Sequence, residues 1–170
     1  SWKQQGRKIL ALKPDIMALQ EIRLSHVEQI KAQVTLGFEG YEVKFGKASP
    51  KNMKAKGTNH QWATRNGGVL IAARSEKLQG MLQAGSRSQE GAVLYQQSRY
   101  VRTATPIKAN GKVIALHIAN MYNLAEGSEA ASIIKERNNA RMLEDLEEAM
   151  GQPVLICIDT NQKESAVMDA

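Results

Sequence analysis

The most informative segment of the chain reads PVLICIDTN, residues 153 to 161. Its apolar first part is typical of a buried strand, and Asp159 and Asn161 follow directly. Side chains alternate along a strand, so this carboxylate and carboxamide would share one face if the chain stays extended. Two oxygen-bearing groups on one face suit a water molecule or a hard cation. A simple turn is the alternative, because Asp and Asn side chains also hydrogen-bond to their own backbone.

A second apolar segment, PDIMALQE at residues 14 to 21, ends in the same manner on Glu21. Open α/β sheets gather ligands at the carboxyl ends of their strands. Two strands that both end on carboxylates therefore indicate a metal or water site. The alternative is that Glu21 is solvated at the start of a loop, where most Glu residues lie.

Four segments together resemble the successive motifs of the endonuclease/exonuclease/phosphatase family, in the family's order. They are PDIMALQE at 14 to 21, NGGVLIAAR at 66 to 74, HIANMYN at 117 to 123 and PVLICIDTN at 153 to 161. The resemblance implies an α/β fold, a partial deoxyribonuclease I-like sandwich with mixed, largely antiparallel sheets flanked by helices. It covers nearly the whole chain, which we interpret as a single domain over residues 1 to 170.

The same resemblance implies roles for individual residues. Glu21 would bind a divalent ion, Mg²⁺ or Mn²⁺, since hard cations favour carboxylate oxygen. Asp159 would orient or deprotonate the attacking water, and Asn161 would hold a phosphate oxygen. Tyr122 would donate its hydroxyl to the phosphate or stabilise the leaving oxygen. From the residues alone, Tyr122 is equally an aromatic side chain at a strand edge.

The chain departs from the family pattern at several places. Family members usually carry Gly before the Asp and an aromatic or Leu residue after it, where this chain has Ile158 and Thr160. Asn123 begins a turn that usually contains Pro. The family's first strand, with a metal-site Asn, and its late Asp-His segment have no counterpart here. The resemblance thus implies a domain truncated at both ends, whose activity as 170 residues alone is in question.

Basic residues are concentrated in one segment. The net charge is +6, and residues 43 to 75 contain no acidic side chain. Its basic residues are Lys44, Lys47, Lys51, Lys54, Lys56, Arg65 and Arg74. Clustered Lys and Arg bind phosphate backbones, so Lys51, Lys54, Lys56 and Arg65 are candidate nucleic-acid contacts. Trp62 and Tyr41 could stack on bases. The alternative is a solvated lysine-rich loop.

Composition is that of an ordinary globular domain, with 42% hydrophobic and 24% charged residues. No apolar stretch approaches bilayer length and no signal segment opens the chain, so we expect a soluble, intracellular protein without membrane insertion. The single Cys157 cannot form an internal disulfide, and we expect a small buried residue there, as fits a reducing compartment.

Local patterns predict the order of elements. Asn110-Gly111 between two β-like runs predicts a hairpin. Ser25 and Glu28 form a capping box before a helix with Val27, Ile30 and Val34 at helical spacing. Further helices are expected at 3 to 12 and 128 to 150, with strands at 15 to 20, 41 to 45 and 67 to 73. Residues 46 to 66 and 75 to 92 are expected to be loops, and the acidic cluster at 144 to 148 a solvated helix face.

The resemblance, together with the basic segment, implies a divalent-metal-dependent phosphodiester hydrolase, an endonuclease or exonuclease acting on nucleic acid, with DNA favoured over RNA. Two alternatives stay open. One is a phosphomonoesterase of phosphorylated small molecules or lipids, and the other is an inactive remnant or nucleic-acid-binding module of the same fold. A glycine-rich phosphate loop of the Walker or dinucleotide type is absent from the sequence.

Overall fold

A computed structural model describes residues 2–48, 68–74, 83–84, 88–123, 129–147, 149 and 151–159. Within these ranges the chain forms four helices and seven strands. In chain order they are α1 (Trp2–Ala11), β1 (Ile16–Leu19), α2 (His26–Phe38), β2 (Tyr41–Phe45), β3 (Leu70–Arg74), β4 (Gln83–Ala84), α3 (Gln89–Gln96), β5 (Tyr100–Ala109), β6 (Lys112–Tyr122), α4 (Glu129–Glu147) and β7 (Val154–Asp159).

The strands form two sheets that pack face to face. One sheet has the order β1-β3-β2 and is antiparallel, and the other has the order β4-β5-β6-β7 with β6 and β7 parallel. Ile71 of β3 and Val69, which precedes that strand, meet Val101 and Ile118 of the second sheet in a core between the sheets. The expected sandwich of mixed, largely antiparallel sheets is confirmed.

Helices cover the outer face of each sheet. Leu36 of α2 and residues of α1 pack on the first sheet around Met17 and Val43. Met142 of α4 and Leu94 of α3 pack on the second sheet. The four layers bring the carboxyl ends of β1, β6 and β7 to one end of the sandwich.

The Asn110-Gly111 turn joins β5 and β6 as predicted. Both residues have positive φ, 49° and 77°, which is the backbone of the two-residue turn that matches strand twist. The register pairs Ala109 with Lys112 next to the turn and Tyr100 with Met121 at the far end. This hairpin sets the position of Tyr122.

Helix α2 begins with the predicted capping box but turns its periodic residues outward. The Ser25 N–H donates to Glu28 Oε2 at 2.7 Å, and the Glu28 N–H donates to Ser25 Oγ at 3.3 Å. Gln29, Ala32 and Leu36 form the buried face. The exposed side chains are Val27 at 60%, Ile30 at 50% and Val34 at 54%. Spacing therefore identified the helix but not its inward face.

The acidic cluster late in α4 is not wholly solvated, because Asp145 is 0% exposed. Tyr100 donates its hydroxyl to Asp145 Oδ2 at 2.7 Å, and Arg102 Nε lies 3.0 Å from the same oxygen. The Ser88 N–H donates to Asp145 Oδ1 at 2.7 Å. Ser88 caps α3, a helix that begins within residues 75 to 92, which were expected to be a polar connection. A side chain at Gly91 would collide with Asp145. The expectation that the acidic residues at 144 to 148 form a solvated helix face is therefore wrong for Asp145.

Strand β7 is the edge of its sheet in the described part of the chain. Its apolar side chains Val154, Leu155, Ile156 and Ile158 are 37 to 43% exposed. The expectation of a buried strand is therefore wrong here, because β7 is paired along one side only among the described residues. Cys157 is partly buried, and that burial raises its pKa. Among the described helices, none combines the length and apolarity needed to cross a bilayer.

Candidate active site

Three of the predicted site residues meet at one end of the sandwich. Glu21 follows β1, while Tyr122 and Asp159 end β6 and β7 and are paired in the parallel register. The Tyr122 hydroxyl donates to Glu21 Oε1 across the two sheets. The Asn123 N–H donates to the Asp159 carbonyl at 2.9 Å, which fixes the ends of β6 and β7 together.

A tight turn presents Glu21. Glu21 and Arg23 have positive φ, 52° and 50°, a conformation uncommon for residues other than glycine. The turn wraps around Gly68, whose carbonyl accepts from the Ile22 N–H at 3.1 Å. A Cβ on Gly68 would lie 3.1 Å from the Arg23 nitrogen, and Gly68 itself has φ 90°. Glycine at 68, within the predicted Asn-Gly-Gly motif, thus allows the turn that carries Glu21.

Charge and hydrogen bonding tune the Glu21–Tyr122 pair. The pKa of Glu21 is lowered, first by the hydrogen bond from Tyr122 and, against a raising effect of burial, by the Arg23 cation. Arg23 Nη2 lies 3.2 Å from Glu21 Oε2. The pKa of Tyr122 is raised by burial, then by the hydrogen bond and charge of Glu21 and the charge of Asp159. Glu21 is thus a carboxylate and Tyr122 a protonated donor at neutral pH.

The donor set suits a hard cation in part. Glu21 offers an ionised carboxylate whose side chain is 43% exposed, which is the oxygen chemistry that Mg²⁺ favours. Asp159 lies at the adjoining strand end and adds a second carboxylate. Within the described ranges, no group of three or more His, Cys, Asp and Glu side chains is close enough to hold a metal ion.

Arg99 belongs to the site but carried no signal in the sequence. Its Nη1 donates to the carbonyls of Tyr122 at 3.3 Å and Asn123 at 3.0 Å. The guanidinium carbon lies 5.6 Å from the centroid of the Tyr122 ring. A single Arg before a strand resembles any surface cation, so only the fold reveals that it supports Tyr122.

Asn123, which had been interpreted as a departure from the family turn, anchors the end of β6 to α4. It is buried, and its Nδ2 donates to the Lys135 carbonyl and to Asn139 Oδ1, both at 3.0 Å. Asn138 Nδ2 donates to Asn123 Oδ1 at 3.1 Å. The Asn123 amide therefore fastens the end of β6 to α4.

The remaining predicted contacts fall in two groups. Asn161 and the predicted nucleic-acid contacts Lys51, Lys54, Lys56, Trp62 and Arg65 lie outside the described residues and stay predictions. Tyr41, expected to stack on bases, is instead buried and donates its hydroxyl to the Pro14 carbonyl at 2.7 Å. Arg74 lies over the Tyr41 ring at 5.4 Å. Tyr41 is therefore a core residue, and that expectation was wrong.

No protein-family model matches the chain, and no curated protein matches it in sequence. Solved structures do match in fold. ANGEL2, a 2′,3′-cyclic phosphatase in complex with adenosine-2′,3′-vanadate, aligns with TM-score 0.64 and 16% identity over 96% of this chain and 44% of its own. The human Nocturnin catalytic domain with bound sulfate aligns with TM-score 0.62 and 17% identity, over 96% and 58%.

D. rerio TDP2 complexed with a single-strand DNA product aligns with TM-score 0.56 and 15% identity. That match covers 98% of this chain and 56% of TDP2. The chain thus spans about half the length of the solved structures that it matches. Identities this low show the fold alone. The chain has the deoxyribonuclease I-like fold of the endonuclease/exonuclease/phosphatase proteins.

Proposed function

We propose that the protein carrying this chain is a divalent-metal-dependent phosphodiester hydrolase that acts on nucleic acid. One observation carries the proposal: the Tyr122 hydroxyl contacts Glu21 at the carboxyl ends of two strands in different sheets, with Asp159 at the adjoining strand end. The Tyr122 ring is buried, so its hydroxyl needs a partner, and that partner is an ionised, half-exposed carboxylate of the kind that binds hard cations.

The three side chains supply distinct functions for phosphodiester hydrolysis. That reaction needs an activated water, compensation of charge on the phosphoryl oxygens and donors that fix the phosphate. Asp159 would orient the attacking water or accept its proton, since it ends an exposed strand next to the pair. Tyr122 is a hydroxyl donor that can turn from Glu21 to a phosphate oxygen. Asn161, two residues after Asp159, would add a second donor.

Glu21 would hold the divalent ion, and Mg²⁺ suits its hard oxygen donor. When bound, the ion would offset negative charge that develops on the phosphoryl oxygens. Arg23 pairs with the same carboxylate, with its Nη2 3.2 Å from Glu21 Oε2. The basic residues Lys51, Lys54, Lys56 and Arg65 would neutralise backbone phosphates, with Trp62 stacking on a base.

The comparisons support a phosphate-ester substrate class. ANGEL2 is named a 2′,3′-cyclic phosphatase, and TDP2 is complexed with a single-strand DNA product. The first ligand is a nucleoside vanadate, an analogue of a phosphate ester, and the second is a nucleic-acid strand. We therefore favour nucleic acid over a phosphorylated lipid, and DNA over RNA because the matched TDP2 structure holds a DNA product.

The test uses the natural protein at full length, with fluorescently labelled single-stranded DNA, duplex DNA and RNA of one sequence. We expect cleavage in Mg²⁺ that EDTA abolishes. Asp159→Asn and Glu21→Gln should each remove most of this activity. Glu136→Gln is the matched control, because Glu136 is an exposed carboxylate of α4. Equal cleavage by Asp159→Asn, Glu21→Gln and Glu136→Gln would contradict the proposed site. Absence of cleavage of all three substrates by the unsubstituted protein would favour the inactive remnant.

A further inference from the structure

Two amide side chains, Gln20 and Asn120, lie directly behind the candidate site. Gln20 Nε2 lies 3.0 Å from Asn120 Oδ1, 2.9 Å from the Met121 carbonyl and 3.4 Å from the Cys157 carbonyl. Gln20 precedes Glu21 at the end of β1, and its three acceptors lie on β6 and β7. We call Gln20 and Asn120 the amide junction.

Asn120 joins the two sheets from the other side of this contact. Its Nδ2 donates to the Leu19 carbonyl at 3.0 Å and to the Leu70 carbonyl at 2.8 Å. Leu19 and Leu70 are cross-strand partners, the last pair of the β1–β3 ladder before the Glu21 turn. Both hydrogens of one amide thus engage the carbonyls of one strand pair, while its oxygen accepts from Gln20. The Asn120 side chain is fully buried, and both its Nδ2 and its Oδ1 have hydrogen-bond partners.

The backbone groups held by the amide junction lie next to the site residues. Met121 immediately precedes Tyr122, and Cys157 lies two residues before Asp159. Leu19 lies two residues before Glu21. One pair of side chains therefore contacts each of the three strands whose ends carry the site.

We propose that Gln20 and Asn120 are positioning residues that set the spacing of Glu21, Tyr122 and Asp159. Apolar side chains at these positions would also fill the space, as Ile118 does on the same strand. The hydrophobic effect has no preferred direction, however, so apolar packing would not fix the distances between the strands. Hydrogen bonds fix direction and distance, which a hydroxyl–carboxylate contact between two sheets needs. This inference deepens the proposed function and rests on it for its kinetic arm.

The structural arm of the test does not require activity. Fluorotyrosine is incorporated into the natural full-length protein, and the ¹⁹F resonance of Tyr122 is assigned with Tyr122→Phe. We expect Asn120→Leu and Gln20→Met to shift or broaden that resonance. Leu36→Ala is the control, since Leu36 is fully buried in the core beneath α2, a cluster that includes neither Tyr122 nor the amide junction. It should lower the melting temperature and leave the Tyr122 resonance in place.

The kinetic arm compares kcat with KM for the substrate that the unsubstituted protein cleaves. Asn120→Leu and Gln20→Met should lower kcat by about 10- to 100-fold, the loss expected when reacting groups are misplaced by about 1 Å, with KM changed less than about threefold. Leu36→Ala should leave kcat within about threefold.

Each outcome decides the proposal. If all three variants change the Tyr122 resonance and kcat alike, the amide junction is ordinary core packing and the proposal is overturned. If Asn120→Leu does not fold, Gln20→Met decides, because Gln20 is only partly buried. If the unsubstituted protein cleaves nothing, the proposed function fails, and the ¹⁹F arm alone supports or overturns the positioning role.

Discussion

The Tyr122 hydroxyl and the Glu21 carboxylate are in contact although 101 residues separate them in the chain. The contact joins the end of β6 in one sheet to the turn after β1 in the other. Two features support the contact. Gly68 lets the turn that carries Glu21 pack closely against it, and Arg99 donates to the carbonyls of Tyr122 and Asn123. We therefore regard this pair as the centre of the site.

Tyr122→Phe removes the donor and keeps the ring. We expect kcat for nucleic-acid cleavage to fall by about 10²-fold, in the range found for loss of one transition-state donor. The free energy of unfolding should change by less than about 1 kcal/mol, because the lost hydrogen bond is partly exposed. Steady-state kinetics and urea denaturation measure the two quantities. Tyr95→Phe on α3 serves as control, and equal kinetics for the two variants would remove Tyr122 from the site.

Asp145→Ala should destabilise the protein by about 3 to 5 kcal/mol, since it leaves the buried Arg102 without its carboxylate partner. Glu144→Ala, a change at the exposed neighbouring residue, should alter stability by no more than about 0.5 kcal/mol. Urea denaturation of both variants gives the comparison. Similar values would mean that Asp145 is solvated after all, as its sequence neighbourhood had indicated.

His117 predicts a dependence of stability on pH. Its pKa lies below the ordinary value of 6.5, first because of burial and then because of the Arg102 charge. The unfolded chain therefore binds more protons than the folded chain as pH falls below 6.5, so stability declines with acidification toward the lower folded pKa. We expect the free energy of unfolding to be lower at pH 5.5 than at pH 7.5, and His117→Gln to reduce this difference.

The matched control for that measurement is His26→Gln, since His26 is exposed at the start of α2. Its pH profile of stability should follow that of the unsubstituted protein. A pH dependence that survives His117→Gln would assign the effect to other groups.

Replacement of Lys51, Lys54, Lys56 and Arg65 together by Gln should weaken nucleic-acid binding and leave kcat at saturating substrate largely unchanged. Each phosphate contact contributes roughly one unit to the slope of log affinity against log salt, so the slope should fall by up to about four. Fluorescence anisotropy at several salt concentrations measures it. The control replaces four exposed lysines elsewhere, Lys8, Lys31, Lys108 and Lys112. An equal effect of both sets would show a general charge effect and no dedicated surface.

Much of the local architecture follows from short-range chemistry. The Asn110-Gly111 hairpin, the Ser25–Glu28 capping box and the extent of α4 all depend on groups within a few residues of one another. Such groups meet whatever the rest of the chain does, because the backbone itself brings them together. The positions of Glu21, Tyr122 and Asp159 at or just after strand ends also follow from the sequence, since each of them closes an apolar segment.

Other features required residues far apart in the chain to be brought together. Periodicity alone could not show that α2 buries Gln29 and leaves Ile30 exposed, because the inward face depends on which sheet it packs against. Asp145 looked solvated until β5 supplied Tyr100 and Arg102. The contacts of the amide junction and of Arg99 likewise could not be predicted from the sequence. Local sequence patterns determine the helices, strands and turns of the backbone. Burial and long-range hydrogen bonds depend instead on tertiary packing, which brings Gln20 into contact with Asn120 across 100 residues of sequence.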